Sequence, residues 1–433
     1  MRGTGEQPVV THRRAIGDED RGVAPAAISR AGAEAGSPQP GGLRDYTIAC
    51  AECDTPATYP AYRCTACDGP LVAQLADVVE GSPMRATGIW RRRGILPRTH
   101  HAVTLGEGET PLVPLLLGSE GRGYHLYAKL ESLNPTLSFK DRAMALASSI
   151  ALDLGLHGLV LASSGNAAVS AAAYAAAAGL DCTAYCGLGS RAGTKLTAAR
   201  GHGAAVCAID GDYSAAYAAA AGAERGGWLN VTTTYRNPLL AEAYRPIAYE
   251  LLDDLGRLPD VVVVPIGAGP LLRGLLGGFA DLLRGGLADR VPRLVGVQAT
   301  ACAPLARAWI APDWLASLNE GTPVGATSAA AIADSLRGYE REGLLTLDAV
   351  RRSGGQIVAV DEAAIEESRR LLAMRCGLLV EPATATAVAA LAHPSVAGML
   401  GPESTVVAIL TGHGSKEPPE LGAPPPLAEE VPL

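Results

Sequence analysis

Apolar residues along this chain follow two spacings, one typical of buried strands and one typical of helices. Short apolar runs bounded by glycine, proline or charged residues predict strands, at residues 124–130, 158–162, 181–186, 204–209, 259–265, 294–298, 356–360 and from 405 onward. Longer segments predict helices, at about residues 139–154, 191–200, 213–225 and 362–375, and in segments that end near 178 and 284, follow 237 and begin at 381. Strands that alternate with helices indicate a parallel α/β sheet.

The two ends of the chain lack this periodicity. Residues 1–44 are rich in glycine, proline, alanine and mixed charges, and residues 419–433 are rich in proline. Such segments have too little apolar surface to form a core, so we expect both to be disordered tails.

The composition favours a globular protein and excludes several classes. At 433 residues, with 48% apolar and 18% charged residues, the chain is long enough for two or three domains around a large buried core. A formal charge of −8 argues against a nucleic-acid partner, which needs a basic face. The longest weakly polar run, Ala167–Leu180, is too short to cross a membrane, and the N-terminus lacks the basic start and apolar stretch of a signal peptide.

Four of the nine cysteines form two closely spaced pairs, Cys50-x2-Cys53 and Cys64-x2-Cys67. Each pair can present two thiolates to one ion, and two pairs complete the tetrahedron that zinc prefers. Four sulfur ligands leave no open position, so the pattern predicts a structural zinc site in a ribbon at residues 45–75, with chance spacing of free thiols as the alternative. An odd number of cysteines with this spacing also fits a reducing compartment, and we expect a cytoplasmic protein.

One predicted helix has a lysine in its first turn. Asn134-Pro135 interrupts the preceding element and the helical pattern starts near Phe139, so Lys140 lies in the first turn. The positive end of the helix disfavours an ammonium there and favours a neutral amine, which can form an imine with an aldehyde. A solvated surface lysine is the ordinary alternative. Leu137 and Phe139 flank the lysine with apolar surface, which counts against that alternative.

Two strand–turn–helix connections place backbone N–H groups where an anion can bind. The first is Ser163-Ser-Gly-Asn166, where the alternative is a plain connection with serine as the helix cap. The second, Gly267-Ala-Gly-Pro-Leu271, is either a phosphate-holding loop or a bare glycine-rich turn. It is not a dinucleotide fingerprint, because Leu272 stands where the third glycine would fall, and no Gly-Lys-Ser/Thr of a P-loop follows it.

The last predicted strand leads into the polar sequence Thr411-Gly-His-Gly-Ser415. Sheets of α/β proteins keep their sites at the carboxyl ends of strands, so Thr411 and His413 are candidate site residues. His413 could act as a base, and a structural or solvent-facing role beside two glycines is equally open.

Together these motifs resemble the pyridoxal phosphate (PLP) enzymes of the threonine synthase group. The lysine stretch reads Ser-Leu-Asn-Pro-Thr-x-Ser-Phe-Lys-Asp-Arg over residues 132–142, and the motifs occur in the family's order over about residues 46–418. The resemblance implies PLP fold type II, an α/β fold with two three-layer domains on parallel-rich sheets, plus an N-terminal zinc-ribbon-like segment. It also implies a large domain formed by residues 76–134 and 231–418, a small domain at residues 135–230, and a homodimer.

The resemblance assigns roles to residues around the implied cofactor. Lys140 would hold PLP and move the α-proton of a small amino-acid substrate. The other implied cofactor contacts are Phe139, Asn166 at the ring hydroxyl, Gly267, Ala268, Gly269 and Leu271 at the phosphate, and Thr411 at the pyridine nitrogen. The implied substrate contacts are Ser138, Ser163, Ser164 and Gly165, and the segment Ser328–Leu336 is implied to face the active site. A neutral hydroxyl at Thr411 would leave the ring a milder electron sink, which suits elimination and replacement.

Several positions depart from the family's usual sequence. Leu137 stands where relatives usually have glycine, Leu240 where many have arginine, and Pro270 removes one N–H from the glycine loop. A substrate that carries its own phosphate needs extra cations. Arg236 and Arg245 could supply them; the alternative is a different substrate.

These observations predict a PLP-dependent carbon–oxygen lyase or synthase acting on a small amino acid with a leaving group at Cβ or Cγ. The first hypothesis is threonine synthase chemistry, which converts O-phosphohomoserine to threonine and phosphate. The second is β-elimination or β-replacement on a serine- or phosphoserine-type substrate, in specialised metabolism. The remaining alternative is a catalytically silent relative whose cysteine segment mediates protein contacts.

Overall fold

A computed structural model describes residues 45–78, 86–117, 123–190, 193–211, 213–224, 226–232 and 235–417, and both predicted tails lie outside these ranges. The strands of the described residues are β1 (Tyr46–Cys50), β2 (Pro56–Ala57), β3 (Leu71–Leu75), β4 (Leu112–Pro114), β5 (His125–Lys129), β6 (Gly158–Ala162), β7 (Asp181–Gly187), β8 (Ala205–Ile209), β9 (Trp228–Asn230), β10 (Val261–Pro265), β11 (Arg293–Ala299), β12 (Gln356–Val360) and β13 (Thr405–Ile409). The helices are α1 (Lys140–Asp153), α2 (Asn166–Ala178), α3 (Thr194–Gly201), α4 (Tyr213–Gly222), α5 (Pro246–Leu255), α6 (Pro270–Arg284), α7 (Pro304–Trp309), α8 (Trp314–Asn319), α9 (Glu340–Arg352), α10 (Glu362–Cys376), α11 (Pro382–Ala389) and α12 (Pro394–Ala397).

The predicted strands and helices are confirmed, with shifts at their ends. Helix α2 ends where predicted, because Gly179 adopts the left-handed conformation at φ +68° that caps a helix. Helices α3 and α4 are shorter than predicted. Strand β9 was not predicted, because three residues are too few to show alternation; it exists because it pairs with β6.

The strands form three sheets within the described ranges. The smallest, in the order β2-β1-β3, is antiparallel, and its central strand β1 ends at Cys50. The largest has the order β12-β11-β10-β13-β5-β4 and is parallel except for β4. The third, in the order β8-β7-β6-β9, is entirely parallel. The predicted α/β class with parallel-rich sheets is therefore confirmed.

The centre of the largest sheet is buried on both faces. Alternate residues of β10 belong to two separate apolar cores, Val262 and Val264 to one, and Val261 and Val263 to the other. A strand covered on both sides needs apolar residues at every position, which explains the continuous valine run.

The carboxyl ends of the two parallel sheets position the site. Strand β6 leads into α2 and β10 leads into α6, while β13 ends just before Thr411. Side chains that follow such strands gather at one end of a sheet. In the ranges that the structure describes, no helix is both long and apolar enough to cross a membrane.

Candidate active site

A cavity of about 220 Å³ lies where the turns after β6 and β10 meet the start of α1 and the end of β13. It is lined by every predicted cofactor and substrate residue except Ser138, namely Phe139, Lys140, Ser163, Ser164, Gly165, Asn166, Gly267, Ala268, Gly269, Leu271 and Thr411. Ser138 is buried behind the wall, where its hydroxyl has no hydrogen-bond partner among the described residues. Its substrate contact stays a prediction.

Lys140 is the first residue of α1, as the helical pattern predicted. Burial lowers the pKa of its amine to about 8, while the carboxylate of Asp334 acts in the opposite direction. Its Nζ lies 4.5 Å from the centre of the Phe139 ring. About a tenth of this amine is therefore uncharged at pH 7, far more than for an ordinary lysine, and is able to attack an aldehyde.

The turn after β6 offers backbone N–H groups to the cavity. Gly165 is the N-cap of α2, and no side chain caps that helix. The Ser163 hydroxyl is used within the turn, where it accepts a hydrogen bond from the Gly165 N–H at 3.1 Å. The first N–H groups of a helix have no partner inside it, so those of Asn166 and Ala167 are placed to bind a carboxylate.

Of the two polar atoms in the Asn166 side chain, one has a hydrogen-bond partner among the described residues and the other has none. Its Nδ2 donates to Glu381 Oε2 at 2.8 Å, whereas its Oδ1 is buried without a partner among the described residues. Gly412 lies over this pair, and a Cβ there would stand 2.3 Å from Glu381 Oε2. A buried carbonyl oxygen without a partner indicates a position for a polar group of a ligand.

The glycine loop after β10 forms a tight cradle. Gly269 has φ +100°, and a Cβ there would lie 2.4 Å from Thr346 Oγ1. The Thr346 hydroxyl donates to the Ala268 carbonyl oxygen at 2.5 Å, which holds the loop against α9. Pro270 occupies the first position of α6, where its missing N–H costs no helical bond, and the N–H of Leu271 has no partner within the helix. The loop is thus shaped to bind an anion.

Thr411 presents a neutral hydroxyl to the cavity. Its Oγ1 lies 3.0 Å from Thr384 Oγ1, which also accepts a hydrogen bond from the Gly412 N–H at 2.9 Å. Because the partner is another hydroxyl and not a carboxylate, Thr411 can pair with a neutral ring nitrogen without placing a charge on it.

The cavity wall also contains charged residues to which the sequence analysis assigned no role. They are Lys195 on α3, Asp334 in the segment implied to face the site, Glu381 before α11, and Glu417. The local sequence of Lys195 and Glu417 carries no sign of this position, because both reach the cavity only through the packing of distant segments.

Asp334 is held by its neighbours. Its Oδ1 accepts hydrogen bonds from the Tyr339 hydroxyl at 2.5 Å and from the Leu336 N–H at 2.9 Å. Burial raises the pKa of this carboxyl, and these hydrogen bonds together with Lys140 oppose the rise. Asp334 packs against the glycine loop, since a Cβ on Gly267 would lie 3.2 Å from the Asp334 Cβ and 3.7 Å from its Oδ2.

Lys195 lies between two carboxylates. Its Nζ is 2.6 Å from Glu417 Oε1 and 2.9 Å from Glu381 Oε1. Burial opposes protonation of this amine, but the two acids outweigh burial and raise its pKa above the ordinary lysine value. Lys195 is therefore an ammonium at neutral pH.

The two arginines considered for a substrate phosphate lie elsewhere, so that hypothesis is wrong for this cavity. Arg236 donates to both carboxylate oxygens of Glu224, at 2.7 and 2.8 Å. Arg245 pairs with Glu242 and, at 2.8 Å, with Asp281. Nearby acids satisfy each guanidinium, and neither belongs to the cavity wall.

His413 also lies outside the wall of this cavity. Its Nδ1 accepts a hydrogen bond from the Ser415 N–H at 3.1 Å, which caps the short turn that follows. This contact supports the structural alternative for His413 over the catalytic one.

The four paired cysteines come together as their spacing predicted. Their sulfur atoms all lie within 4.8 Å of one another, with 3.4 Å between Cys50 and Cys67 and 3.6 Å between Cys53 and Cys64. A zinc ion bound tetrahedrally at about 2.3 Å separates its sulfur ligands by about 3.8 Å. A Cβ on Gly69 would lie 3.0 Å from the Cys50 sulfur, so a larger residue there would press against the cluster. The cluster has the size and ligands of a metal site.

Comparison with known proteins agrees with this geometry. Residues 103–412 match the family model described as pyridoxal-phosphate dependent enzyme. The threonine synthase of Mycobacterium leprae is 34% identical over 334 residues, which are 76% of this chain and 88% of that protein. The threonine synthase of Methanosarcina acetivorans is 32% identical over 396 residues, which are 86% of this chain and 93% of that protein.

Solved structures show the same fold. Maize serine racemase aligns with a TM-score of 0.60 at 21% identity, covering 71% of this chain and 89% of its own. A fungal L-serine ammonia-lyase from Rhizomucor miehei aligns with a TM-score of 0.58 at 19% identity, covering 71% of this chain and 94% of its own. The fold is PLP fold type II. This chain therefore belongs to the pyridoxal-phosphate dependent enzyme family, in which it is a threonine synthase-like lyase.

Proposed function

We propose that this protein converts O-phosphohomoserine to threonine and inorganic phosphate, with PLP held on Lys140. One observation carries the proposal: an amine with a pKa of about 8 stands in a cavity between two groups of free backbone N–H donors. The N–H groups after β10 suit the cofactor phosphate, and those after β6 suit the substrate carboxylate. The relatives named threonine synthase, at 32–34% identity, support this choice of substrate.

The residues present fit the cofactor. Lys140 supplies the primary amine for the aldehyde, and the glycine loop Gly267–Leu271 supplies N–H donors for the phosphate. The buried Oδ1 of Asn166, which has no partner among the described residues, can accept from a ring hydroxyl, and Thr411 can pair with the ring nitrogen. When bound, PLP supplies an electron-withdrawing ring that stabilises negative charge on the substrate carbon. Phe139, beside Lys140 in the cavity wall, is a further proposed cofactor contact.

The chain's own residues would orient the substrate and move protons. Ser163, Ser164 and Gly165 form the turn that would bind the α-carboxylate, and Ser138 is a further proposed substrate contact. A lysine with a pKa near the working pH can both take and give a proton, so Lys140 would act as base and then as acid. The neutral Thr411 favours loss or replacement of a leaving group over amino-group transfer.

The proposal is tested by assaying the purified protein with PLP on O-phosphohomoserine and O-phosphoserine. We expect phosphate release and threonine formation from the first substrate, and neither product with the variant Lys140→Ala. Absence of threonine from O-phosphohomoserine would contradict the proposal.

A second candidate is β-elimination or β-replacement on a serine- or phosphoserine-type substrate. Its serine-type branch is favoured by the cavity wall, because among the described residues that wall contains no arginine for a substrate phosphate. Leu240, which stands where many relatives have arginine, is buried at 1% exposure. The same assay separates the two candidates, because elimination from O-phosphoserine gives pyruvate.

We further propose that Cys50, Cys53, Cys64 and Cys67 hold a structural zinc ion. None of the four forms a disulfide, and four sulfur ligands leave no position for a substrate. The ribbon also contacts the rest of the protein, since the Tyr59 hydroxyl donates to Asn237 Oδ1 at 3.1 Å. Metal binding would therefore stabilise the fold and take no part in catalysis.

The domain boundaries, the oligomeric state and the cellular location are proposals as well. We infer a ribbon at residues 45–75, a small domain at residues 135–230, a large domain formed by residues 76–134 and 231–418, a homodimer and a cytoplasmic location. The resemblance to the threonine synthase group supports each. Sedimentation of the purified protein would test the dimer.

A further inference from the structure

The charges of the cavity wall limit where a substrate phosphate can bind. The described wall residues include two lysine amines, Lys140 and Lys195, and three carboxyl groups, Asp334, Glu381 and Glu417. Lys140 is taken up by the cofactor in the proposed function, and Asp334 faces the same side of the cavity as Lys140. The backbone N–H groups are assigned to the cofactor phosphate and the substrate carboxylate, so Lys195 is the cationic side chain left for a substrate phosphate among the described wall residues.

The two acids on Lys195 differ in how firmly they are held. The Glu381 side chain is 2% exposed, and its Oε2 is tied to Asn166 Nδ2 at 2.8 Å. The Glu417 side chain is 31% exposed, and its 2.6 Å contact with Lys195 faces the cavity. Glu381 is therefore a fixed partner, whereas Glu417 can move into water at little cost, because a partly exposed carboxylate keeps part of its hydration.

Backbone contacts allow Glu417 to move alone. The Thr194 hydroxyl donates to the Lys416 carbonyl oxygen at 3.0 Å, and the Lys416 ammonium donates to the Thr136 carbonyl oxygen at 2.6 Å. These contacts hold the end of the described chain against α3 and against Thr136. A rotation of the Glu417 side chain frees one donor position of Lys195 without separating the two segments.

We infer that Lys195 binds the phosphate of a phosphorylated amino-acid substrate, and that Glu417 occupies the same position on Lys195 until the substrate arrives. This inference rests on the proposed function, since it names the side chain that recognises the departing group. No bond is made or broken; one anion replaces another on the ammonium, and Glu381 remains in place.

The test measures binding to the PLP-loaded enzyme, in which the cofactor occupies the glycine loop. The ligands are inorganic phosphate and, as the matched ligand without phosphate, L-homoserine, both measured at equilibrium, together with O-phosphohomoserine, whose affinity is read from the KM of its turnover. For Lys195→Met we expect phosphate and O-phosphohomoserine to bind about 10- to 100-fold more weakly, as for loss of one charged hydrogen bond, with homoserine changed less than about threefold. For Glu417→Gln we expect both phosphate ligands to bind up to about tenfold more tightly.

The control variant is Glu403→Gln, which changes a glutamate of 84% side-chain exposure outside the cavity and should leave all three affinities unchanged. Equal weakening of homoserine and O-phosphohomoserine by Lys195→Met would overturn the inference, because it would show that Lys195 only holds the cavity together. Unchanged phosphate affinity in Glu417→Gln would overturn it independently, even if Lys195→Met failed to fold.

The outcome is separable from that of the proposed function. Phosphate that binds through Lys195 in an enzyme that forms no threonine would leave this inference standing and contradict the proposed reaction. If threonine forms with a KM that Lys195→Met does not change, the proposed reaction stands and the inference about Lys195 is contradicted.

Discussion

The guanidinium of Arg142 forms two parallel hydrogen bonds with Glu131, from Nε to Oε2 at 2.8 Å and from Nη2 to Oε1 at 2.7 Å. Both side chains are fully buried, and Arg142 donates to Glu250 as well, at 2.7 and 2.8 Å. Arg142 lies in the first turn of α1, two residues after Lys140. The ion pairs therefore fix the helix start that carries Lys140.

Replacing Arg142 by methionine should destabilise the protein strongly. The change leaves the carboxylates of Glu131 and Glu250 buried without their main partner, which costs about 3–5 kcal/mol in comparable cases. The free energy of unfolding in urea measures the loss. The matched control is Arg370→Met, which removes an exposed pair with Glu367 and should have a much smaller effect. Equal losses in the two variants would contradict the structural role of Arg142.

Replacing Leu137 by glycine should cost less stability than an ordinary leucine-to-glycine change. Leu137 has φ +62°, a conformation that costs a residue with a Cβ about 1–2 kcal/mol. Glycine removes that strain, which offsets its own entropic cost of about 0.5–1 kcal/mol. Thermal unfolding should show Leu137→Gly to be less destabilised than the control Leu133→Gly, whose leucine is 52% exposed and lies in the preceding turn. The reverse order would refute this account.

Cofactor attachment should follow the titration of Lys140. Burial lowers its pKa to about 8, so the rate at which the apoprotein takes up PLP should rise with pH to a midpoint near 8. Asp334 favours the charged amine, so Asp334→Asn should move this midpoint to lower pH. An unchanged or higher midpoint in the variant would contradict the pairing of these two residues.

The same pKa shift has a consequence for stability. The folded protein binds fewer protons at Lys140 than the unfolded chain does between pH of about 8 and the ordinary lysine pKa of about 10.4. The contribution of this group to the free energy of unfolding therefore increases as pH rises through that window. Lys140→Met should abolish this part of the pH dependence in the apoprotein.

Adding a methyl group at Gly412 should weaken cofactor binding. A Cβ there would lie 2.3 Å from Glu381 Oε2 and 3.3 Å from Asn166 Nδ2, so Glu381 has to shift. Loss of the Asn166–Glu381 hydrogen bond leaves the amide of Asn166 free to rotate, and we expect Gly412→Ala to weaken PLP binding by about tenfold in equilibrium dialysis. Gly401→Ala, where a Cβ meets only Ser404 Oγ, at 3.7 Å, among the described residues, is the control and should bind PLP normally.

Breaking the cysteine cluster should remove the metal and loosen the ribbon. Cys53 is exposed, so Cys53→Ser loses a metal ligand without leaving a cavity in the core. We expect about one zinc ion per chain in the unaltered protein, little in the variant, and a thermal midpoint lowered by about 5 °C. Cys376→Ser, outside the cluster, should keep both. Metal-free protein that is as stable as the loaded form would refute a structural zinc site.

The amino-acid sequence by itself determined most strands and helices of the two parallel-rich sheets, the cysteine cluster and the place of Lys140 in the first turn of a helix. Each of these depends on spacing within a short segment: the valine run of β10, the two Cys-x2-Cys pairs, and a lysine that follows Asn134-Pro135 at the start of a helix. Burial, backbone geometry and metal binding each constrain which residue types occur at nearby positions, so a local sequence pattern is enough to predict them.

Only the tertiary structure decided which charges meet in the cavity. Lys195 and Glu417 are 222 positions apart, and Arg236 and Arg245, which looked available to a phosphate, are paired with acids instead. The strand order β12-β11-β10-β13-β5-β4 was equally hidden. Contacts between distant segments depend on how whole helices and sheets pack. The free energy of that packing is spread over many apolar residues, and no single one of them indicates which charged side chains will be in contact.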